Sequence, residues 1–211
     1  MVKILIAYDH ADPTLGSYFS SCYQEMQCHA EKCDTEFQIL ELDSSNDDQV
    51  LQNTITDLEG RPFIFTAFTH GKNDTILLAS SPLVHPKNAY YFGDSMVYTC
   101  ACNAGKELAS HLTHHNCRAF IGFSYENKLP QMDSYDSYFQ ECEMFGLKIF
   151  MEGSRSIQES YDAMIKYYTD KFDELVEVNS PAAWMLLINR DALVLEASDY
   201  NRQLTLADFH S

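Results

Sequence analysis

A chain of 211 residues, 45% hydrophobic and 21% charged, has the balance of a globular protein and the length to bury one sizeable core. Its 14 basic and 31 acidic side chains leave a net charge of −17, which argues against nucleic acid or an anionic membrane surface as partner and favours basic segments. No apolar run is long enough to cross a bilayer, no leader pattern precedes the first strand, and seven cysteines, an odd number, fit free thiols in a reducing, cytoplasmic setting.

Residues 2–8 predict an opening β-strand, closed by a turn over 9–13. Leu15, Tyr18, Phe19, Cys22 and Met26 then recur at helical spacing across 14–30. Residues 37–42 alternate as a second strand, and 47–58 form a helix with Asp47 and Asp48 at its positive end and Gly60 stopping it. The nearly unbroken apolar run 62–68 reads as a central strand. Segments 75–78 and 90–92 predict a hairpin or flap over the sheet edge, with Pro82 and Pro86 in its connecting loop. A strand over 96–101, a helix over 104–115 and a strand over 118–125 follow. Long helices over 132–151 and 156–176 are separated by Glu152-Gly153-Ser154, and a short helix near 181–187 and a strand at 192–195 come last. Such alternation predicts an α/β fold, a mostly parallel central sheet flanked by helices, over 1–211 as a single domain.

Two strand ends carry chemistry: Phe68-Thr69-His70-Gly71, and Tyr98-Thr99-Cys100-Ala101-Cys102-Asn103-Ala104-Gly105. Each apolar run breaks at small or polar residues, as a buried parallel strand does at its C-terminal rim, where open α/β sheets place their sites. The two strands are expected side by side, with imidazole and thiol facing one cleft. Cys102 also has a bland reading as a buried, inert thiol, and Cys100, two residues earlier and on the same side of the strand, is a rival nucleophile.

The His70-Gly71 pair with Ala101-Cys102-Asn103-Ala104-Gly105 resembles the caspase-like cysteine peptidases of clan CD, and within them the CHAT-type bacterial branch. Arg118 to Ser124 and Phe145 to Tyr161 are similar to the later strand and helices of those domains. The resemblance implies a caspase-like three-layer sandwich and a Cys102/His70 dyad that cleaves a protein or peptide substrate. It implies an oxyanion hole from the N–H groups of Gly71 and Cys102, and neither a metal nor an organic cofactor. A bacterial stress or antiviral defence setting comes with it, as does control by an activating protease or regulatory protein acting near 72–95 or 127–136.

In that chemistry a thiolate is the nucleophile, and a helix beginning near Ala104 would favour the anion at Cys102. Gly105 lets the start of that helix pack closely. His70 would serve as base and then protonate the leaving amine. Asp9, Asp12, Asp94, Glu126, Asp133 and Asp136 fall in the regions that line the substrate pocket of relatives, which points to Arg or Lys at P1. Cys100 stands where many relatives carry an acidic substrate-binding residue.

Two competing readings remain. A catalytically silent scaffold would bind a protein partner through the same groove. A nucleotide-binding α/β domain is disfavoured, because Asp9-His10-Ala11-Asp12-Pro13 has no glycine and two negative charges after the first strand. Cys22, Cys28, His29 and Cys33 lack a second ligand pair for zinc and read as a helix face, while His111, His114 and His115 complement a helix C-terminus.

Overall fold

The structure, a computed structural model, describes residues 1–130, 135–178 and 180–210. Strand β1 (Val2–Tyr8) is buried along nearly its whole length, as a largely apolar run requires, with Lys3 its one charged residue. Helix α1 (Gly16–Lys32) buries Tyr18, Phe19, Cys22, Tyr23, Met26 and Ala30, one stripe at i, i+3 and i+4 spacing. After β2 (Phe37–Leu42), helix α2 (Asp48–Thr56) starts at Asp47, whose carboxylate accepts the Val50 N–H at 3.0 Å. Strand β3 (Phe63–Phe68) is followed by three short strands, β4 (Gly71–Lys72), β5 (Thr75–Leu78) and β6 (Ser81–Val84). The rest runs β7 (Ser95–Thr99), α3 (Leu108–His114), β8 (Ala119–Phe123), α4 (Asp136–Met151), α5 (Ile157–Glu177), α6 (Ala182–Ala192), β9 (Leu193–Glu196) and α7 (Asp199–Arg202).

The main sheet has the order β2-β1-β3-β7-β8-β9, parallel throughout except for β9, which runs antiparallel along β8. Alternate residues of each strand face opposite layers. Ile4, Ile64, Met96, Tyr98 and Ile121 pack under α1, α4, α5 and α6, whereas Leu5, Phe65, Val97 and Phe120 pack under α2 and α3. Each fully buried aromatic such as Phe65 or Phe120 contributes about 1.5–3 kcal/mol in area removed from water. Gly153, with φ +80°, turns the chain between α4 and α5, and a Ser156/Glu159 capping box starts α5.

Two expectations need correction. The flap is a three-stranded antiparallel sheet, and its third strand is β6 rather than residues 90–92, which form a turn of 3₁₀ helix (Ala89–Phe92). Pro82 lies within β6, an edge strand where its missing N–H is tolerated. Second, the helix after Cys102 begins at Leu108, not near Ala104. Asn103 adopts φ +62°, outside the helical region, and Gly105 lies so close to Phe123 and Val194 that a Cβ there would sit 2.5 Å from the valine methyl. The close packing read from Gly105 is therefore that of a turn on β8, with the Gly105 N–H bonded to the Phe123 carbonyl. The N-terminal N–H groups at Glu107 and Leu108 go to the Asn73 carbonyl of the flap.

Candidate active site

Three neighbouring parallel strands deliver the site. Asp12 follows β1, His70 follows β3 and Cys102 follows β7, all at carboxyl ends of the sheet. The crossing from β2 back over β1 to β3 makes this a topological switch point, where an open α/β sheet leaves a crevice. The β3–β7 pairing sets Ala67 opposite Thr99, and beyond it the Cys100 N–H reaches the Ala67 carbonyl at 3.2 Å. Both expected partners thus stand on one rim, on adjacent parallel strands.

His70 is held from two sides. Its Nε2 lies 3.0 Å from Asp12 Oδ2, and Phe19 meets its ring edge-to-face at 5.5 Å. Asp12 is itself fixed by the N–H groups of Leu15 and Thr14, at 2.7 and 2.9 Å. Burial pushes the Asp12 carboxyl up, but those two N–H bonds and His70 outweigh it and hold it below the usual carboxylate range. Behind His70 the flap is tied down, with the Leu77 N–H on the His70 carbonyl at 2.9 Å and the Thr69 hydroxyl on the Leu77 carbonyl at 2.7 Å.

Cys102 faces the same space. His70 and Cys102 line a cleft of about 560 Å³, together with Tyr18, Asn127, Leu129 and Asp136, and a recess of about 30 Å³ continues beneath it to Cys100 and Glu143. The two residues share no direct hydrogen bond; the Cys102 sulfur accepts the Asn127 backbone N–H at 3.2 Å. Burial pushes its thiol above the ordinary value, the Asn127 N–H opposes this, Glu143 and Glu126 add to it, and Lys128 lowers it. With α3 starting six residues downstream, no helix end lies at Cys102 to favour the anion. Gly71 packs on the backbone of Cys102, where a Cβ would lie 2.6 Å from the Cys102 carbonyl oxygen. Only glycine fits that contact.

The remaining expected substrate residues scatter. Asp9 is buried and accepts Ser44 Oγ at 2.8 Å and the Ala79 N–H at 3.1 Å, so it braces the flap rather than lining the cleft. Asp94 precedes β7, at the opposite end of the strand from Cys102, and pairs with Arg118 at 3.3 Å beside a separate cavity of about 740 Å³. Cys100 is buried at the floor of the recess, and burial first, then Glu143, raises its thiol well above the ordinary value. Glu126 pairs with Lys128 outside the cleft, Asp136 lines it, and Asp133 lies outside the described residues. Two participants were not anticipated, Glu143 and Asn127. The available signal was Glu143 itself, a carboxylate in the stripe of Phe139, Gly146, Leu147 and Phe150 that α4 otherwise buries.

No protein-family model matches the chain, and no curated protein sequence matches it. Among solved structures it is similar to the Arg-specific cysteine proteinase gingipain R, at 10% identity and a TM-score of 0.58 over 96% of this chain. The match takes in 47% of that proteinase, so the chain spans about half its length. The fold is therefore the caspase-like three-layer α/β sandwich. Among the described residues no helix is long and apolar enough to cross a membrane.

Proposed function

We propose that this chain is a cysteine endopeptidase with Cys102 as nucleophile and His70 as its acid–base partner. The observation that carries the reading is the delivery of both side chains from adjacent parallel strands into one cleft, with His70 anchored on Asp12. In the proposed reaction, His70 takes the Cys102 proton and the sulfur attacks the scissile carbonyl carbon. The resulting oxyanion is received by the N–H groups of Gly71 and Cys102; among the described residues the Cys102 N–H has no acceptor. Collapse breaks the C–N bond, with His70 giving its proton to the leaving amine, and water then hydrolyses the thioester. Asp12 is assigned to orienting His70 rather than to binding substrate.

A basic P1 residue suits this cleft, which has Asp136 on its wall and a chain charge of −17 around it. The Arg specificity in the description of the similar proteinase points the same way. Residues 1–211 are read as one catalytic domain of the CHAT-type branch in a bacterial defence pathway, with a protein substrate and an outside activator. All seven cysteines are free, which fits the cytoplasm.

One observation favours a silent scaffold instead: burial raises the Cys102 thiol, so the resting group is protonated. A positional peptide library separates the two readings. Cleavage after Arg or Lys that disappears in Cys102→Ala supports the peptidase. No cleavage by the parent, together with no labelling of Cys102 by peptidyl thiol-reactive probes, leaves the scaffold.

A further inference from the structure

Glu143 has no part in the chemistry above, yet it is 1% exposed and lines the recess beneath Cys102. Its Oε2 accepts the Tyr18 hydroxyl at 2.8 Å, and its Oε1 accepts the side-chain amide of Asn127. Asn127 is the residue whose backbone N–H meets the Cys102 sulfur. Among the described residues the amide oxygen of Asn127 is buried without a partner, and Glu143 alone anchors that side chain. One residue thus bridges a buried carboxyl and the nucleophile, its side chain on the first and its main chain on the second.

We propose that Glu143 is a positioning residue for Cys102: through Asn127 it holds the N–H that bonds the sulfur, and through its charge it governs how readily the thiol ionises. This rests on the reading of Cys102 as the nucleophile. A second anion in a buried pocket that already holds a carboxylate is disfavoured. Burial raises the Glu143 carboxyl to about 7, against the hydrogen bonds from Tyr18 and Asn127. The groups that face it are Tyr18 and Cys22 from α1, Tyr98 and Cys100 from β7 and its end, Cys142 beside it on α4, and Tyr168 from α5. Burial raises every one of these hydroxyls and thiols, so they stay neutral where Glu143 changes charge. His70 lines the same recess but turns its Nε2 to Asp12. Above pH 7 the carboxylate anchors Asn127 most firmly and opposes the thiolate; below it the neutral acid releases both effects.

The test is the pH dependence of Cys102 alkylation by iodoacetamide on the full chain, followed by peptide mass spectrometry so that exposed Cys28 is counted separately. Glu143→Gln keeps size and polarity without the charge, and the alkylation midpoint is expected to fall by about one pH unit. Asn127→Ala keeps the charge and frees the loop, and the midpoint is expected to rise. A His70→Ala background, carrying the same shifts, assigns them to Glu143 rather than to the imidazole. A merely structural Glu143 would lower melting temperature and leave the three midpoints coincident, which overturns the proposal. Cleavage that requires Cys102 alongside coincident midpoints removes Glu143 and leaves the peptidase; shifted midpoints without any cleavage do the reverse.

Discussion

The two faces of the central sheet are built to different specifications. Under α2 and α3 the buried side chains are chiefly aliphatic and aromatic, from Leu5 and Leu51 to Phe65, Phe92 and Phe120, with one thiol, Cys117, whose sulfur reaches Ser95. Under α1, α4 and α5 the core also takes in Glu143, Tyr98, Tyr168, Cys22 and Cys100, and among the described residues the hydroxyls of Ser160 and Tyr168 are buried there without partners. Each unpartnered polar group costs about 1–3 kcal/mol. The costly face is the one onto which Cys102 and His70 open.

The largest test of that division is Cys102→Ala, which is expected to abolish peptide cleavage while leaving circular dichroism and melting temperature unchanged. His70→Ala should lower kcat by about 10²–10⁴-fold. Asp12→Asn should cost about 10²-fold, chiefly in kcat, because a misaimed imidazole loses the reaction geometry rather than the substrate. Activity assays on the folded variants check both. On the other face, Phe65→Ala should destabilise by about 3–5 kcal/mol in urea unfolding, yet leave the alkylation rate of Cys102 in the remaining native protein as it was. A parallel loss of thiol reactivity would break the division.

The two faces should also part in their response to pH. A carboxyl whose folded-state pKa is raised binds its proton more tightly folded than unfolded. Glu143, raised from 4.5 to about 7, therefore contributes stability at acid pH that is lost as pH rises through that window, about 3 kcal/mol in all. In Glu143→Gln this decline should vanish from a series of urea melts between pH 4.5 and 8. Asp12, held low, works in the opposite direction, its stabilisation being lost as pH falls. The smallest effect is expected at Asp47→Ala, which removes the α2 cap for about 1 kcal/mol and touches neither thiol nor imidazole.

Much of this layout is legible in the residue order. Runs such as Phe63–Phe68 and Ser95–Thr99 are apolar on both sides because helices cover both sides, and that signal places the parallel strands within a residue or two. His70 and Cys102 stand out because small and polar residues break those runs just before a rim. The start of α3 was not legible, because the left-handed turn at Asn103 and the Asn73 carbonyl that takes the helix N–H groups belong to tertiary contacts. Asp94 looked equivalent to Asp12 as a nearby acid, yet the direction of β7 sends it to the far end of the sheet.

The sequence by itself determined the layers, the parallel strands and the two strand ends that bear thiol and imidazole, since burial period and chain breaks are local properties. Only the tertiary structure decided that Asp12 meets His70 across 58 residues and that Glu143 meets Tyr18 across 125. A carboxylate's role depends on which donors surround it. Those donors come from strands and helices that become neighbours only when the sheet closes.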